Sequence, residues 1–146
     1  MKRLQKEYGD LQKEKIEWAE ITLAGGSNLF EWNCKIQGPP ESPYEKGVFL
    51  VNFKMPPEYP FKQPVVKFET PIWHPNVDDK GTLCQQVFGT WSPQLKIENV
   101  LGMVRQVMIE PSLASPLNVE AGELYSKNKS EFIKKAQAHT AQHAKK

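Results

Sequence analysis

The sequence predicts an α+β fold: an N-terminal helix, a four-stranded antiparallel meander, a cysteine-bearing loop, then a core helix and two C-terminal helices. Three observations predict it. Leu4, Tyr8 and Leu11 recur at i, i+4 and i+7 among charged residues, the spacing of an amphipathic helix. Apolar and polar residues then alternate in short runs separated by turn-forming residues, as half-buried strands do. Late in the chain Ile97, Val100, Leu101, Val104, Val107 and Met108 form a wide i, i+3, i+4, i+7 stripe, which suits a helix packed across the sheet.

The first helix is expected over residues 2–15. A weaker strand over 18–23 is closed by Gly25-Gly26. The second strand is clear over 30–37, with Phe30, Trp32, Cys34 and Ile36 alternating with Glu31, Asn33, Lys35 and Gln37. Cys34 falls on the apolar face and reads as a small buried hydrophobe rather than a reactive thiol. A turn-rich connection from Gly38 to Gly47 leads to a third strand over 48–55, with Phe49, Val51, Phe53 and Met55 on one side. Residues 56–64 are too rich in proline for helix or central strand. A fourth strand over 65–68 follows. Residues 83–96 lack strong periodicity, so the cysteine-bearing segment is expected to be irregular backbone or a short helical turn. Pro111 ends the core helix, and two helices are expected over 119–126 and 130–144. With no repeat, low-complexity tract or linker, residues 1–146 read as one domain.

Composition is that of an ordinary globular chain, 39% hydrophobic and 25% charged. No apolar run approaches the ~20 residues of a membrane span, and the first residues lack the apolar core of a secretory signal. An intracellular protein, cytoplasmic and/or nuclear, is therefore expected. In that setting Cys34 and Cys84 are expected as free thiols. The three histidines are not spaced around them for zinc; His139 and His143, i and i+4 on the last helix, could chelate a metal or simply face solvent, and no metal site is expected. Net charge is +2, yet residues 16–126 hold eight basic against thirteen acidic groups, so the excess lies at the two ends. That pattern argues against a nucleic-acid module. A basic first helix could steer an acidic protein partner, or be a solvated face.

Chemistry concentrates between Trp73 and Pro93. His74-Pro75-Asn76 makes a turn eight residues before Cys84, and Trp91-Ser92-Pro93 begins seven residues after it. A thiol with a side-chain amide nearby suits the handling of an acyl group. The sulfur carries the acyl, and an amide N–H can steady the oxyanion formed on transfer.

Together these residues resemble the ubiquitin-conjugating enzymes over almost the whole chain. The likeness rests on the basic first helix, Gly-Pro-Pro…Ser-Pro-Tyr…Gly over 38–47, Pro57-Glu58-Tyr59-Pro60-Phe61-Lys62 and His74-Pro75-Asn76. It continues with Cys84, Trp91-Ser92-Pro93, and Pro111…Ser115-Pro116-Leu117. The resemblance implies that Cys84 takes the carboxyl terminus of ubiquitin, or a ubiquitin-like modifier, as a thioester from an activating enzyme. The modifier then passes to a lysine, or to the cysteine of some ligases. No cofactor is expected, because ATP is consumed by the activating enzyme. Asn76 is implied to stabilise the oxyanion or to hold the loop that does, with His74 a structural imidazole. Ligase contact is implied for Phe61, Lys62, Ser92, Pro93 and Gln94, although Phe61 read alone could equally plug the core, and Trp91 reads as structural. Lys2, Arg3 and Lys6 are implied to dock the activating enzyme by charge. Ubiquitin or its relative, the activating enzyme, ligases and substrate proteins are thus the expected partners of a monomer, with no nucleic acid or membrane.

Three positions depart from the family pattern. Ser115 stands in the late turn where many members carry an acidic residue, and Gln86 replaces another common acid. The Cys84-to-Trp91 gap is one residue short. Asp78 and Asp79 are the carboxylates left nearby in sequence. Slow lysine discharge without a ligase is the expectation, and the identity of the modifier is left open. Two other readings compete: a non-catalytic scaffold of the same fold, against which the presence of Cys84 speaks, and a thiol hydrolase, which would need a histidine base beside the sulfur.

Overall fold

The computed structural model describes residues 2–24, 28–84, 89–113 and 116–144. Gly25-Gly26, expected to close the first strand, lies outside the described residues. The elements are α1 (Lys2–Lys13), β1 (Ala19–Leu23), β2 (Glu31–Gln37), β3 (Val48–Lys54), β4 (Val65–Phe68), α2 (Ile97–Ile109), α3 (Val119–Lys127) and α4 (Lys129–His143). The four strands pair in sequence order, each antiparallel to the next, so the expected meander is present.

Register follows the alternation of side chains. Ile21 pairs with Cys34, Cys34 with Val51 and Val51 with Phe68, while Trp32 pairs with Phe53 and Phe53 with Val66. These residues form the buried face of the sheet. α2 lies in the same core through the six residues of its apolar stripe, all buried. On the opposite face Asn52 donates to both Glu31 and Asn33, so this nearly buried amide is satisfied across the strands. One expectation fails at Phe30. Asn28 accepts the Phe30 N–H, turning the chain there, so β2 starts at Glu31 and the Phe30 ring is more than one-third exposed. Met55 lies just past β3 and is buried, its N–H donating to the Phe30 carbonyl.

Helix ends follow local chemistry. Asn118 and Asn128 accept from Ala121 and Glu131 N–H groups and so cap α3 and α4. α4 buries Phe132, Ala136 and Thr140, with Phe132 between Trp73 and Tyr125. The Val48 N–H donates to the Ala144 carbonyl, tying the end of α4 to the start of β3.

The core stripe of α2 makes a direct prediction. Leu101 is wholly buried, so Leu101→Ala is expected to cost roughly 2–5 kcal/mol. Val119, 61% exposed, is expected to cost less than about 0.5 kcal/mol as Val119→Ala. Urea unfolding of both variants checks this, and similar losses would mean the stripe is not the core face.

Candidate active site

The His74-Pro75-Asn76 turn is buried, and its polar groups are bonded partly within the turn and partly to distant segments. His74 Nδ1 accepts the Asn76 N–H at 2.9 Å, which requires the tautomer in which Nε2 carries the proton. Nε2 therefore donates to the Val107 carbonyl, 2.7 Å away in the last turn of α2, one of the carbonyls a helix end leaves unpaired. Burial lowers the His74 pKa from 6.5 to about 4, so the ring is neutral near pH 7. The tilted ring of buried Tyr44 lies 5.7 Å from it, centroid to centroid, and the Tyr44 hydroxyl donates to the Trp73 carbonyl. His74 is the structural imidazole expected from the sequence, and it reaches beyond its own loop to α2.

Asn76 completes the turn. Its Nδ2 donates to the Ser112 carbonyl at 2.7 Å, and its Oδ1 accepts the Ser112 N–H at 2.8 Å. The Pro75 carbonyl accepts from Leu117 and Asn118, and the Asn76 carbonyl accepts from Cys84 at 2.9 Å. One turn thus fixes the end of α2, both sides of the late turn, and the cysteine. The Asn76 amide thus ties its loop to the segment after α2.

Residues 76–84 form a narrow ribbon. Val77 bridges Leu83, and Thr82 bridges Lys67, so the ribbon extends the sheet beyond β4. Leu83 is thus extended, where irregular backbone was expected. At its tip Asp78 Oδ1 accepts the N–H groups of Lys80 and Thr82. Gly81 closes it at φ 93°, and a side chain there would collide with the Phe68 carbonyl. Asp78 is therefore a turn-holding carboxylate, while Asp79 is exposed. Gln86 and Ser115 lie outside the described residues.

The two cysteines differ as the sequence suggests. Cys34 is wholly buried, and burial pushes its thiol up to about 12. Cys84 is partly exposed at the end of the ribbon. Among the described residues, no group of three or more His, Cys, Asp or Glu could hold a metal ion. His139 and His143 stack with ring centroids 4.4 Å apart, and burial, then the His143 charge, lowers the His139 pKa.

A second cluster forms at the far end of α2. The Trp91 indole donates to the Pro60 carbonyl at 2.8 Å, joining the two proline-rich loops. Phe61 is 75% exposed, which rules out the core-plug reading. Lys62, Pro93 and Gln94 are exposed beside it, and Ser92 is half-buried, accepting the Gln94 N–H. Lys2 and Lys6 are exposed on α1. Arg3 is part-exposed, and its guanidinium bonds Glu7 and the Leu95 carbonyl and lies over the Tyr59 ring. Its charge serves the fold because Glu7 is buried beside it and needs a partner.

A sequence model of the ubiquitin-conjugating enzymes matches residues 3–140. The chain belongs to the ubiquitin-conjugating enzyme family. It is 42% identical over 145 residues to Ubiquitin conjugating enzyme E2 B of Dictyostelium discoideum, covering 99% of this chain and 97% of that one. It is 37% identical over 147 residues to Ubiquitin-conjugating enzyme E2 ubc-18 of Caenorhabditis elegans, with coverage of 99% and 95%. A crystal structure of a Plasmodium yoelii protein described as a ubiquitin conjugating enzyme superposes with a TM-score of 0.89. It shares 35% sequence identity and covers 99% of this chain and 94% of that one. The fold is accordingly that of the ubiquitin-conjugating enzymes.

Two features of this conjugating-enzyme fold escaped the sequence reading. Ser112 acts through its backbone, which carries no sequence signal. Glu7 did leave a signal, because with Leu4 and Leu11 it occupies the apolar stripe of α1, where a carboxylate has to find buried donors.

The buried His74 makes stability depend on pH. The unfolded chain takes up a proton at this ring below about pH 6.5, and the folded protein does so only near pH 4. Stability is therefore complete above the unfolded value and falls as pH drops from about 6.5 toward about 4, by on the order of 3 kcal/mol. Urea unfolding across that range should show a steeper loss in the wild type than in His74→Gln. Parallel profiles would remove His74 as the cause.

Proposed function

We propose that the protein carries ubiquitin, or a ubiquitin-like modifier, as a thioester on Cys84 and delivers it to a substrate lysine with a ligase. The observation that carries this reading is that Cys84 is partly exposed, its backbone pinned through the Asn76 carbonyl to the buried turn. Loading is a transthiolation. The Cys84 sulfur attacks the modifier's carboxyl carbon, an S–C bond forms, and the activating enzyme's thiolate leaves. In discharge an amine attacks the same carbon, loses its proton, and Cys84 departs as thiolate.

The site supplies position more than proton transfer. Both His74 ring nitrogens are bonded to backbone, so this imidazole is not a base for the thiol, which counts against a hydrolase. A thioester arrives already activated and does not need one. An acceptor lysine, by contrast, has an ordinary pKa of about 10.4 and must shed a proton. Asp78 is occupied by its own turn, and Ser115 and Gln86 stand where relatives commonly carry acids. Unaided discharge onto lysine is therefore slow, and a ligase, docked at Phe61, Lys62, Ser92, Pro93 and Gln94, is needed to align the acceptor. Lys2 and Lys6 serve encounter with the activating enzyme.

Incubation with ATP, a matching activating enzyme and each candidate modifier should give a thiol-sensitive adduct on a non-reducing gel, most readily with ubiquitin. The adduct should be lost in Cys84→Ala and kept in Cys34→Ala; the reverse pattern would move the site to β2. For the loaded protein, ligase-free discharge onto free lysine should be slow and should quicken in Ser115→Asp. Fast discharge that is indifferent to Ser115→Ala would contradict the missing-carboxylate account.

A further inference from the structure

The loops proposed to dock a ligase rest on a buried carboxylate that neither the thiol nor the exposed face contains. Glu7, on α1, is 6% exposed. Its Oε1 accepts the Ile97 N–H at 2.7 Å, the first donor of α2 and one that the helix leaves unpaired. Its Oε2 accepts the Tyr59 hydroxyl at 2.7 Å and Arg3 Nε at 2.9 Å. Arg3 Nη2 in turn donates to the Leu95 carbonyl. The loop carrying Phe61 is thus anchored at Tyr59, and the loop carrying Ser92, Pro93 and Gln94 at Leu95 and Ile97. Trp91 closes the circuit by donating to Pro60.

We infer that Glu7 is a positioning residue for ligase recruitment, holding the two loops in one docking geometry without touching the partner. The inference rests on the proposed docking role of those loops. Three donors converge on the two oxygens of this carboxylate. An amide offers one acceptor oxygen and a donor NH₂, so Glu7→Gln brings N–H against the Ile97 N–H or the Arg3 N–H whichever way it turns. The core below, with Leu4, Leu11, Ile97 and Val100, is apolar and does not depend on the charge. The effect should therefore concentrate in the loops above.

The test takes, from a set of purified ligase catalytic domains, the one that most accelerates discharge of the wild-type thioester. Glu7→Gln is expected to raise the ligase concentration for half-maximal discharge about tenfold, as loss of one charge-assisted hydrogen bond would. The maximal rate and loading by the activating enzyme should change far less. Tyr59→Phe, which keeps the ring and removes one donor, should raise the same concentration about threefold. The double variant should be no worse than Glu7→Gln alone, because both changes cut one circuit. Phe61→Ala serves as the control. If it weakens ligase response while Glu7→Gln and Tyr59→Phe do not, Glu7 has no positioning role and the docking loops stand. If Phe61→Ala has no effect, the docking role falls and this inference with it. Should Glu7→Gln fail to fold, Tyr59→Phe decides, and an unchanged half-maximal concentration overturns the inference.

Discussion

The His74-Pro75-Asn76 turn is the constraint on which the geometry of the site depends. It is buried, so its polar groups must be paired or cost about 1–3 kcal/mol each. Besides the bond within the turn, its pairings reach four parts of the chain: α2 through Val107, the segment after α2 through Ser112, the late turn through Leu117 and Asn118, and the ribbon through Cys84. Pro75 has no N–H to satisfy, which lightens the burial. Loosening any one bond would free a segment that helps place the thiol, because the loops here pack through backbone groups as much as through side chains.

A second polar hub lies at the opposite end of α2, where Glu7 gathers Arg3, Tyr59 and Ile97. The two hubs work alike. In each, a buried side chain satisfies a terminal backbone group of α2, His74 at the carbonyl end and Glu7 at the N–H end. The sign suits the helix dipole, since Glu7 places negative charge at the positive end. The core helix thereby links the cysteine ribbon and the exposed loops as parts of one rigid frame.

Much of the frame was legible in the sequence because strands and helices bury their faces at fixed periods. The alternation around Trp32, Cys34 and Ile36 marked β2, and the six-residue stripe marked α2. Phe30 misled because the alternation continues one residue into a turn that Asn28 makes. The different burial of Cys34 and Cys84 was legible from the face one occupies and the loop the other ends. What periodicity could not carry was long-range polar pairing. Asn76 meets Ser112 across 36 residues and Glu7 meets Ile97 across 90, and neither partner contributes a side chain. Asp78 was legible in retrospect, since Asp78-Asp79-Lys80-Gly81 is a turn sequence whose first carboxylate commonly bonds back to its own loop. The bonds Arg3 makes within the fold were not legible either, because charge alone does not show which cation a buried carboxylate holds.

Polar groups spent on architecture are not free for chemistry, and this bears on the proposed acyl transfer. Both His74 nitrogens are bonded, the Asn76 amide gives one N–H and its oxygen to Ser112, and one Asp78 oxygen is held by its own turn. Cleaving a stable amide needs a base and a protonated leaving group, and His74, bonded at both nitrogens, is not that base. Under the proposed reading, the site holds a thioester still. For an acyl already activated, orientation of the acceptor is the larger part of the remaining barrier, and fixing two reactants together can supply several kcal/mol of it. The exposed loops around Phe61 and Pro93 are tied to the cysteine ribbon through α2. Under the proposed reading, a partner held there would supply the orientation that the cysteine's own surroundings do not.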